Sequence, residues 1–302
     1  MCFSNARTNR VTLDTSMKYI DAVPGTLVSF VVFLILDLCL PLGTPSGDIN
    51  IILTITTFLF AILIGFFITR LAARYDSVRS SIAQEDAQML SLYKTVSTFN
   101  KRLAAQLATI MDAYYIVAYD FSLSDAQVAY KKTAPIFSRM WNIASKIDQK
   151  KFGSAYQMVI QQLTTIEQSR NQSSVVSEEN MRLSSWLLII SLAFIILVSV
   201  FYIRTNDLYS HIVTIGLSTA LTMTLLTLRD LQNMMLGGQA LLDESGQEVL
   251  ESIGKKRYYH ESFLASGVSH VPTSVKEYRV GTHTPGAEKH LIKTVRITGV
   301  RS

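Results

Sequence analysis

The stretch AILIGFFITRLAARYDSVRSSI, residues 61–82, decides the fold class because an apolar run passes directly into a charged one. Its first nine residues carry no charge, and the first charged side chain is Arg70. No glycine or proline follows before residue 123, so nothing in the composition ends a helix there. The stretch therefore predicts a membrane-spanning helix that continues beyond the bilayer as a long rod.

Four runs in the chain are long and apolar enough to cross a bilayer, which takes about 20 helical residues. They are residues 23–40, 51–69, 183–203 and 208–228, and the first is the shortest. The composition agrees, since 49% of the residues are apolar and only 17% are charged, below the usual share in soluble domains. We therefore predict an integral membrane protein.

The distribution of lysine and arginine predicts the orientation, because cytoplasmic loops are enriched in both. Residues 70–182 contain fourteen, the N-terminal segment three, and the tail from residue 229 ten. The short connection within the first hairpin contains no lysine or arginine, and the one within the second hairpin contains only Arg204. We therefore expect both termini and the long insert to face the cytoplasm, with the protein in the cell (inner) membrane.

These patterns predict an all-α membrane protein with four transmembrane helices, arranged as two hairpins around a large cytoplasmic helical insert. The predicted segments are a cytoplasmic N-terminal segment (1–22), a first transmembrane hairpin (23–70), a cytoplasmic helical domain (71–182), a second transmembrane hairpin (183–229) and a cytoplasmic tail (230–302). Apolar residues at spacings of three and four, from Val96 to Val117, support helix in the insert.

The tail divides into two parts. Residues 230–253 follow a helical pattern. Two alternating segments, 275–280 and 290–297, then flank a Thr-Pro-Gly turn signal at residues 284–286. A β-hairpin and a disordered tail both remain open for this part, because few apolar residues accompany the two segments.

Three bulky apolar residues of the second span, Phe58, Ile62 and Phe66, are spaced four apart. Residues with this spacing share one helix face, so in an oligomer with a central axis they would form stacked apolar rings. Such constrictions can gate ions by dewetting. Lipid contact or packing within the bundle would explain the same spacing, and the spacing alone favours that explanation.

Asp37 is the intramembrane acid of the first span. Ionisable residues within membrane helices usually face the bundle interior or water and are candidates for function. The alternative is that Asp37, four residues before Pro41, lies close enough to the interface to stay hydrated.

Enzyme and cofactor motifs are absent, with no GxSxG, phosphate loop, GxGxxG or HExxH. The histidines lack metal-ligand spacing, which indicates scattered surface residues: His211, His260, His270, His283 and His290. We therefore expect no enzyme, no cofactor and no metal site. The basic residues are too sparse for nucleic acid, and the run at residues 255–257 is either solvated or in contact with lipid headgroups.

The quoted stretch resembles the second transmembrane segment of bestrophins, where an apolar run with Gly-Phe leads into a helix bearing an Arg–aromatic pair. Gly65, Phe66, Arg74 and Tyr75 occupy those places. The layout of two spans, a helical insert and two further spans is also similar. The chain looks closer still to a bacterial bestrophin-like family that carries short charged elements. Their counterparts here are Asp76 after the second span, Glu85 and Asp86 in the helix that follows, and Arg229 and Asp230 after the fourth span.

The resemblance covers roughly residues 23–250 and implies a pentameric anion channel. Phe58, Ile62 and Phe66 would then line its apolar neck, and the partners would be other copies of the chain, the lipid bilayer and an inorganic anion. One departure concerns calcium. Bestrophins have a dense acidic clasp after the fourth span, whereas LGGQALLDESGQEVLES (236–252) spreads its acids out. Calcium binding needs several converging oxygens, so calcium gating is not predicted.

The leading hypothesis is therefore an oligomeric bestrophin-like ion channel, anion-conducting, with the second transmembrane helix lining the pore. The alternative is a non-conducting membrane scaffold or sensor whose cytoplasmic helices bind a partner. A third hypothesis is a proton-driven motor subunit, which shares the layout and would use Asp37 as its acid.

Overall fold

A computed structural model describes residues 22–42, 47–234, 239–287 and 289–297, with the side chains of residues 124 and 239–243 outside the description. The predicted N-terminal segment 1–22 lies outside the described residues except for Ala22, as does the end of the tail from residue 298.

Four helices are long and apolar enough to cross a membrane, judged by length and composition over the described residues. They are α1 (Ala22–Cys39), α2 (Gly47–Phe99), α6 (Leu183–Ile203) and α7 (Leu208–Gln232). Helix α1 packs on α7, and α2 packs on α6 and more lightly on α7. These four helices correspond in position to the four predicted spans.

Helix α2 is the long rod that residues 61–82 predict. Its 53 residues extend about 80 Å at 1.5 Å per residue, well beyond the thickness of a bilayer. The helix ends at Phe99 although no glycine or proline stands there. Asn100 adopts an extended conformation, and its side chain accepts the backbone N–H groups of Arg102 and Leu103, which starts the next helix. The predicted stripe from Val96 to Val117 is therefore divided between two helices.

The second half of α2 forms a helical block with α3 (Lys101–Ala118), α4 (Ala126–Ala144) and α5 (Gly153–Ser177). A short 3-10 turn, Leu123–Asp125, precedes α4, and Pro135 lies inside α4 without ending it. Helix α5 runs along α2. Fully buried side chains fill the core of the block: Met89, Leu92, Leu107, Met111, Met140, Leu163 and Ile166.

The tail is folded onto this block. Helix α8 (Gln239–Ser252) is followed by β1 (Tyr258–His260), α9 (Glu261–Ser266), β2 (Glu277–Gly281) and β3 (Ile292–Arg296). Strands β2 and β3 pair antiparallel, so of the two alternatives for this region the structure shows the hairpin. Strand β1 joins β2 in parallel and makes a three-stranded sheet within an otherwise helical chain. Leu250 and Tyr258 belong to the core of the helical block, which explains why these short strands are ordered.

Candidate functional site

Phe58, Ile62 and Phe66 lie on one exposed face of α2, with 66%, 53% and 61% of their surface accessible. At 100° per residue the three side chains fall within about 80° of arc. The opposite side of α2 is buried at Phe60 and Ile64, where it packs among residues of α6 and α7. The structure thus brings the three predicted residues together, on the face that points away from the rest of the described chain.

Asp37 is buried and paired. Its side chain is 3% exposed, with Oδ1 3.0 Å from Arg204 Nη1 and Oδ2 2.7 Å from His211 Nδ1. Arg204 also donates to the carbonyl oxygen of Leu40. The hydrated alternative is therefore contradicted. The carboxylate ties the end of α1 to the connection between α6 and α7, and a cation satisfies it, which disfavours the proton-driven motor.

Arg74, from the Arg–aromatic pair, is buried where α5 and α7 end. Its Nε–H donates to Val176 O at 3.1 Å and its Nη1 to Gln232 O at 3.0 Å, and Nη2 donates to Ser177 O. Carbonyls at helix C-termini carry partial negative charge, which a guanidinium with its fork of donors satisfies. Arg74 thus connects α2 to the C-terminal ends of α5 and α7.

Further along α2, Glu85 and Asp86 enter the core and meet two tyrosines of α3. Tyr114 Oη donates to Glu85 Oε1 at 2.5 Å, and Tyr115 Oη donates to Asp86 Oδ1 at 2.7 Å. Ser245 of α8 donates to the other oxygen of Asp86. We call Glu85, Asp86, Tyr114 and Tyr115 the acid–tyrosine cluster. Neutral hydroxyl donors satisfy both buried acids, as buried polar groups require.

Arg170 of α5 lies beside the acid–tyrosine cluster. Its Nε–H donates to Tyr114 Oη at 2.9 Å, and its Nη2 donates to Thr133 Oγ1 at 2.8 Å. The guanidinium also stacks on aromatic rings, with its carbon 4.4 Å from the Phe137 centroid and 5.0 Å from that of Tyr130. Sequence reasoning missed this residue, because its partners lie 37 to 56 positions away.

A cavity of about 140 Å³ adjoins the acid–tyrosine cluster. It lies between α3, α4 and α5, and Phe263 and Ser269 of the tail close it. Its wall combines aromatic rings with Glu85 and Arg170. A pocket that is largely apolar with a few converging polar groups is the usual form of a small-ligand site.

Glu85 should make stability depend on pH. It lies outside the predicted spans, and burial raises the pKa of its carboxyl to about 7, with a further rise from Asp86 that Tyr114 and Arg170 oppose. The folded chain then holds a proton that the unfolded chain loses near pH 4.5, so stability falls as pH rises from about 4.5 to 7, by on the order of 3 kcal/mol. Glu85→Gln should flatten this dependence.

Unfolding midpoints measured from pH 5 to 8 test the prediction, with Glu167→Gln, an exposed glutamate on α5, as the matched control. A wild-type slope in Glu85→Gln would contradict it.

The basic run at residues 255–257 is paired within the chain. Lys255 Nζ lies 3.8 Å from Asp112 Oδ2, Lys256 Nζ lies 2.6 Å from Glu277 Oε2, and Arg257 bridges Glu244 and Glu251. These pairs engage the three cations within the chain, which weakens the alternative of contact with lipid headgroups.

The expectation of scattered surface histidines is wrong. His260 and His283 are buried, and the rings of His283 and His290 are 4.7 Å apart beside Asp120. His211 pairs with Asp37, whereas His270 is exposed. His283 and His290 therefore meet across the hairpin, and both lie beside Asp120 of the helical block, which a search for local ligand spacing does not detect.

Comparison with known proteins gives a consistent result. The Bestrophin-like domain family matches residues 44–230, more than half of the chain. Two crystal structures of variants of a bacterial bestrophin homologue from Klebsiella pneumoniae superpose with a TM-score of 0.54 at 12% identity. Each alignment covers 78% of this chain, and 98% and 100% of those chains. A crystal structure described as a membrane protein superposes with a TM-score of 0.56 at 13% identity, and the alignment covers 78% of this chain and 100% of that chain. No curated protein matches the chain.

Proposed function

The chain belongs to the bestrophin-like family, and on that premise we propose that it is a homo-oligomeric ion channel in which α2 lines the ion pathway. Phe58, Ile62 and Phe66 would form the apolar constriction around the central axis. The family resemblance suggests five subunits and an inorganic anion as the permeant ion. The family membership and the apolar helices make the chain an integral membrane protein, and the channel is the function that this fold and site support best.

One observation carries the proposal: the Phe58–Ile62–Phe66 face points away from the buried side of its own helix. Aromatic and branched side chains at the same height in several subunits can close a pore to hydrated ions by excluding water. One chain contributes only one helix face, which forms only one side of such a pore. The constriction therefore requires other copies of the chain around an axis.

Gly65 supports a close approach on this side of α2. A Cβ placed there would meet nothing within 4 Å, so the chain itself does not need the space. Glycine inside a helix costs about 1 kcal/mol relative to alanine. Small residues in membrane helices commonly mark places where another helix approaches closely, and the neighbouring subunit would supply that helix here.

The orientation forms part of the proposal. Both short connections, 40–46 and 204–207, would face outward, and the helical block and tail would lie in the cytoplasm of the cell that carries the protein in its inner membrane. The excess of lysine and arginine in the block and tail supports this arrangement. The first transmembrane hairpin (23–70), the cytoplasmic helical domain (71–182) and the second transmembrane hairpin (183–229) keep these boundaries in the proposal, because the basic residues concentrate outside the two hairpins.

Reconstitution tests the proposal. Purified full-length protein in planar bilayers should give unitary currents whose reversal potential follows the chloride gradient. Its mass in detergent should be that of several chains of 33.7 kDa each. Bilayers with a heat-denatured sample serve as the control. Silent bilayers together with a monomeric mass would contradict the channel.

A second candidate is a non-conducting sensor, and the cavity beside the acid–tyrosine cluster is the observation that favours it. Its wall joins α3, α4 and α5 to the tail, so an occupant would change how these elements pack. In that case cross-linking in cells would capture a partner through residues 90–170, and the reconstituted protein would stay electrically silent.

A further inference from the structure

Three side chains from distant parts of the chain converge beside the tail hairpin. Asp120 follows α3, whereas His283 follows β2 and His290 precedes β3. Their side chains are 0%, 2% and 28% exposed. His283 Nε2 lies 2.9 Å from Asp120 Oδ2 and 3.0 Å from His290 Nδ1, and the third distance, from His290 Nδ1 to Asp120 Oδ2, is 3.9 Å.

These separations match those of ligands around one metal ion. Zinc binds imidazole nitrogen and carboxylate oxygen at about 2.0–2.2 Å, so tetrahedral ligand atoms lie roughly 3.3–3.5 Å from each other. The three observed distances bracket that value. One ion could therefore contact all three atoms after shifts of a few tenths of an ångström.

The hairpin register explains why the two histidines meet. Gly281 pairs with Ile292, and Thr282 N donates to Leu291 O at 2.9 Å, which extends the ladder by one residue. Continuing the register places His283 directly opposite His290, and directly opposed residues have neighbouring side chains. The hairpin thus brings together two ligands that Asp120 meets from the helical block.

Hydrogen bonds from residues further from the three converging atoms orient the side chains of Asp120 and His283. Tyr258 Oη donates to Asp120 Oδ1 at 2.8 Å, which leaves Oδ2 toward the histidines. His283 Nδ1 faces Leu291 O at 3.5 Å, and a proton on Nδ1 leaves the Nε2 lone pair free. Such outer bonds are typical of metal-ligating carboxylates and histidines.

We propose that Asp120, His283 and His290 bind one divalent transition-metal ion of the Zn²⁺ class, with water completing the coordination. Imidazole nitrogen favours zinc and its neighbours, whereas calcium and magnesium prefer sites made of oxygen alone. The ion would fasten the tail hairpin to the connection between α3 and α4. His290, at the surface, would provide the entry path.

The competing arrangement is a hydrogen-bonded triad without an ion. His283 would then donate from Nε2 to Asp120, and added metal would leave the protein unchanged. The two arrangements differ in stoichiometric metal uptake, which is directly measurable.

Full-length protein without a histidine tag, in detergent and stripped by chelator, should take up one Zn²⁺ per chain after dialysis. Co²⁺ should produce visible d–d absorption that Zn²⁺ abolishes. His290→Gln should weaken affinity by more than about 100-fold, beyond the range of outer-bond changes, and Tyr258→Phe should weaken it by about 10- to 100-fold. His270→Gln, at an exposed histidine of the same tail, is the matched control and should bind as wild type does.

Because His290 is partly exposed, its variant should fold, and an unchanged size-exclusion profile verifies this. Zn²⁺ should also slow amide exchange in residues 282–291 of the wild type but not of His290→Gln. Absence of uptake, or equal loss in His290→Gln and His270→Gln, would overturn the proposal.

Discussion

Arg204→Ala is expected to destabilise the protein by about 3–5 kcal/mol, because it leaves Asp37 buried without its cation. Arg204 Nη1 lies 3.0 Å from Asp37 Oδ1, and the two side chains are 1% and 3% exposed. His211, the other group at Asp37, is partly exposed and cannot replace the guanidinium's second contact, with Leu40 O. The midpoint of denaturant unfolding in detergent measures the loss.

Arg182→Ala is the matched control, since Arg182 flanks the other end of α6 as an exposed residue, and this substitution should change stability little. The double variant Asp37→Leu with Arg204→Met should recover much of the loss, because replacing both members of a buried pair removes the uncompensated charge. A cost below about 1 kcal/mol for Arg204→Ala would show that the pair is hydrated and would contradict this account.

Arg170→Ala should have a comparable effect at pH 8, about 3–5 kcal/mol, because it leaves the buried Glu85 carboxylate of the acid–tyrosine cluster without a neighbouring cation. The variant loses hydrogen bonds to Tyr114 and Thr133 and the stacking on Phe137. Arg170 also lowers the pKa of Glu85, so without it the acid holds its proton to higher pH. A neutral Glu85 needs no cation, and the defect should therefore be smaller at pH 6 than at pH 8.

Arg139→Ala, at an exposed arginine of α4, provides the control and should change neither the stability nor its pH dependence. Unfolding of both variants at pH 6 and pH 8 measures the effect. An equal loss of stability in Arg170→Ala at the two pH values would show that the role of Arg170 does not depend on the charge of Glu85, and would contradict the prediction.

The four long apolar helices and the rod could be predicted because their signals are local. Apolar runs between charges indicate the four apolar helices, and the absence of glycine and proline indicates the continuation of α2. The break at Asn100 could not be predicted as readily, because capping by an asparagine side chain depends on the chain turning there. The hairpin remained undecided because its order depends on Tyr258 packing into a core built by other helices.

The buried polar pairs could not be predicted from the sequence, because their signals are not local. Asp37 and Arg204 are 167 residues apart, and Asp120 and His283 are 163 apart, so no spacing rule connects them. A usable signal did exist for the histidines. If the hairpin around residues 284–286 is assumed, its register places His283 opposite His290. The spacing of Phe58, Ile62 and Phe66 correctly defined a common face, but only the fold distinguishes this face from that of Phe60.

The central claim, that Ile62 lines an ion pathway, is tested most directly by cysteine modification. Ile62→Cys, with Cys2 and Cys39 replaced by serine, would be reconstituted and its chloride current recorded before and after a charged thiol reagent. We predict that most of the current is lost, while Ile190→Cys, at an exposed isoleucine of α6, keeps its current. An unchanged current in a fully labelled Ile62→Cys channel would contradict the account.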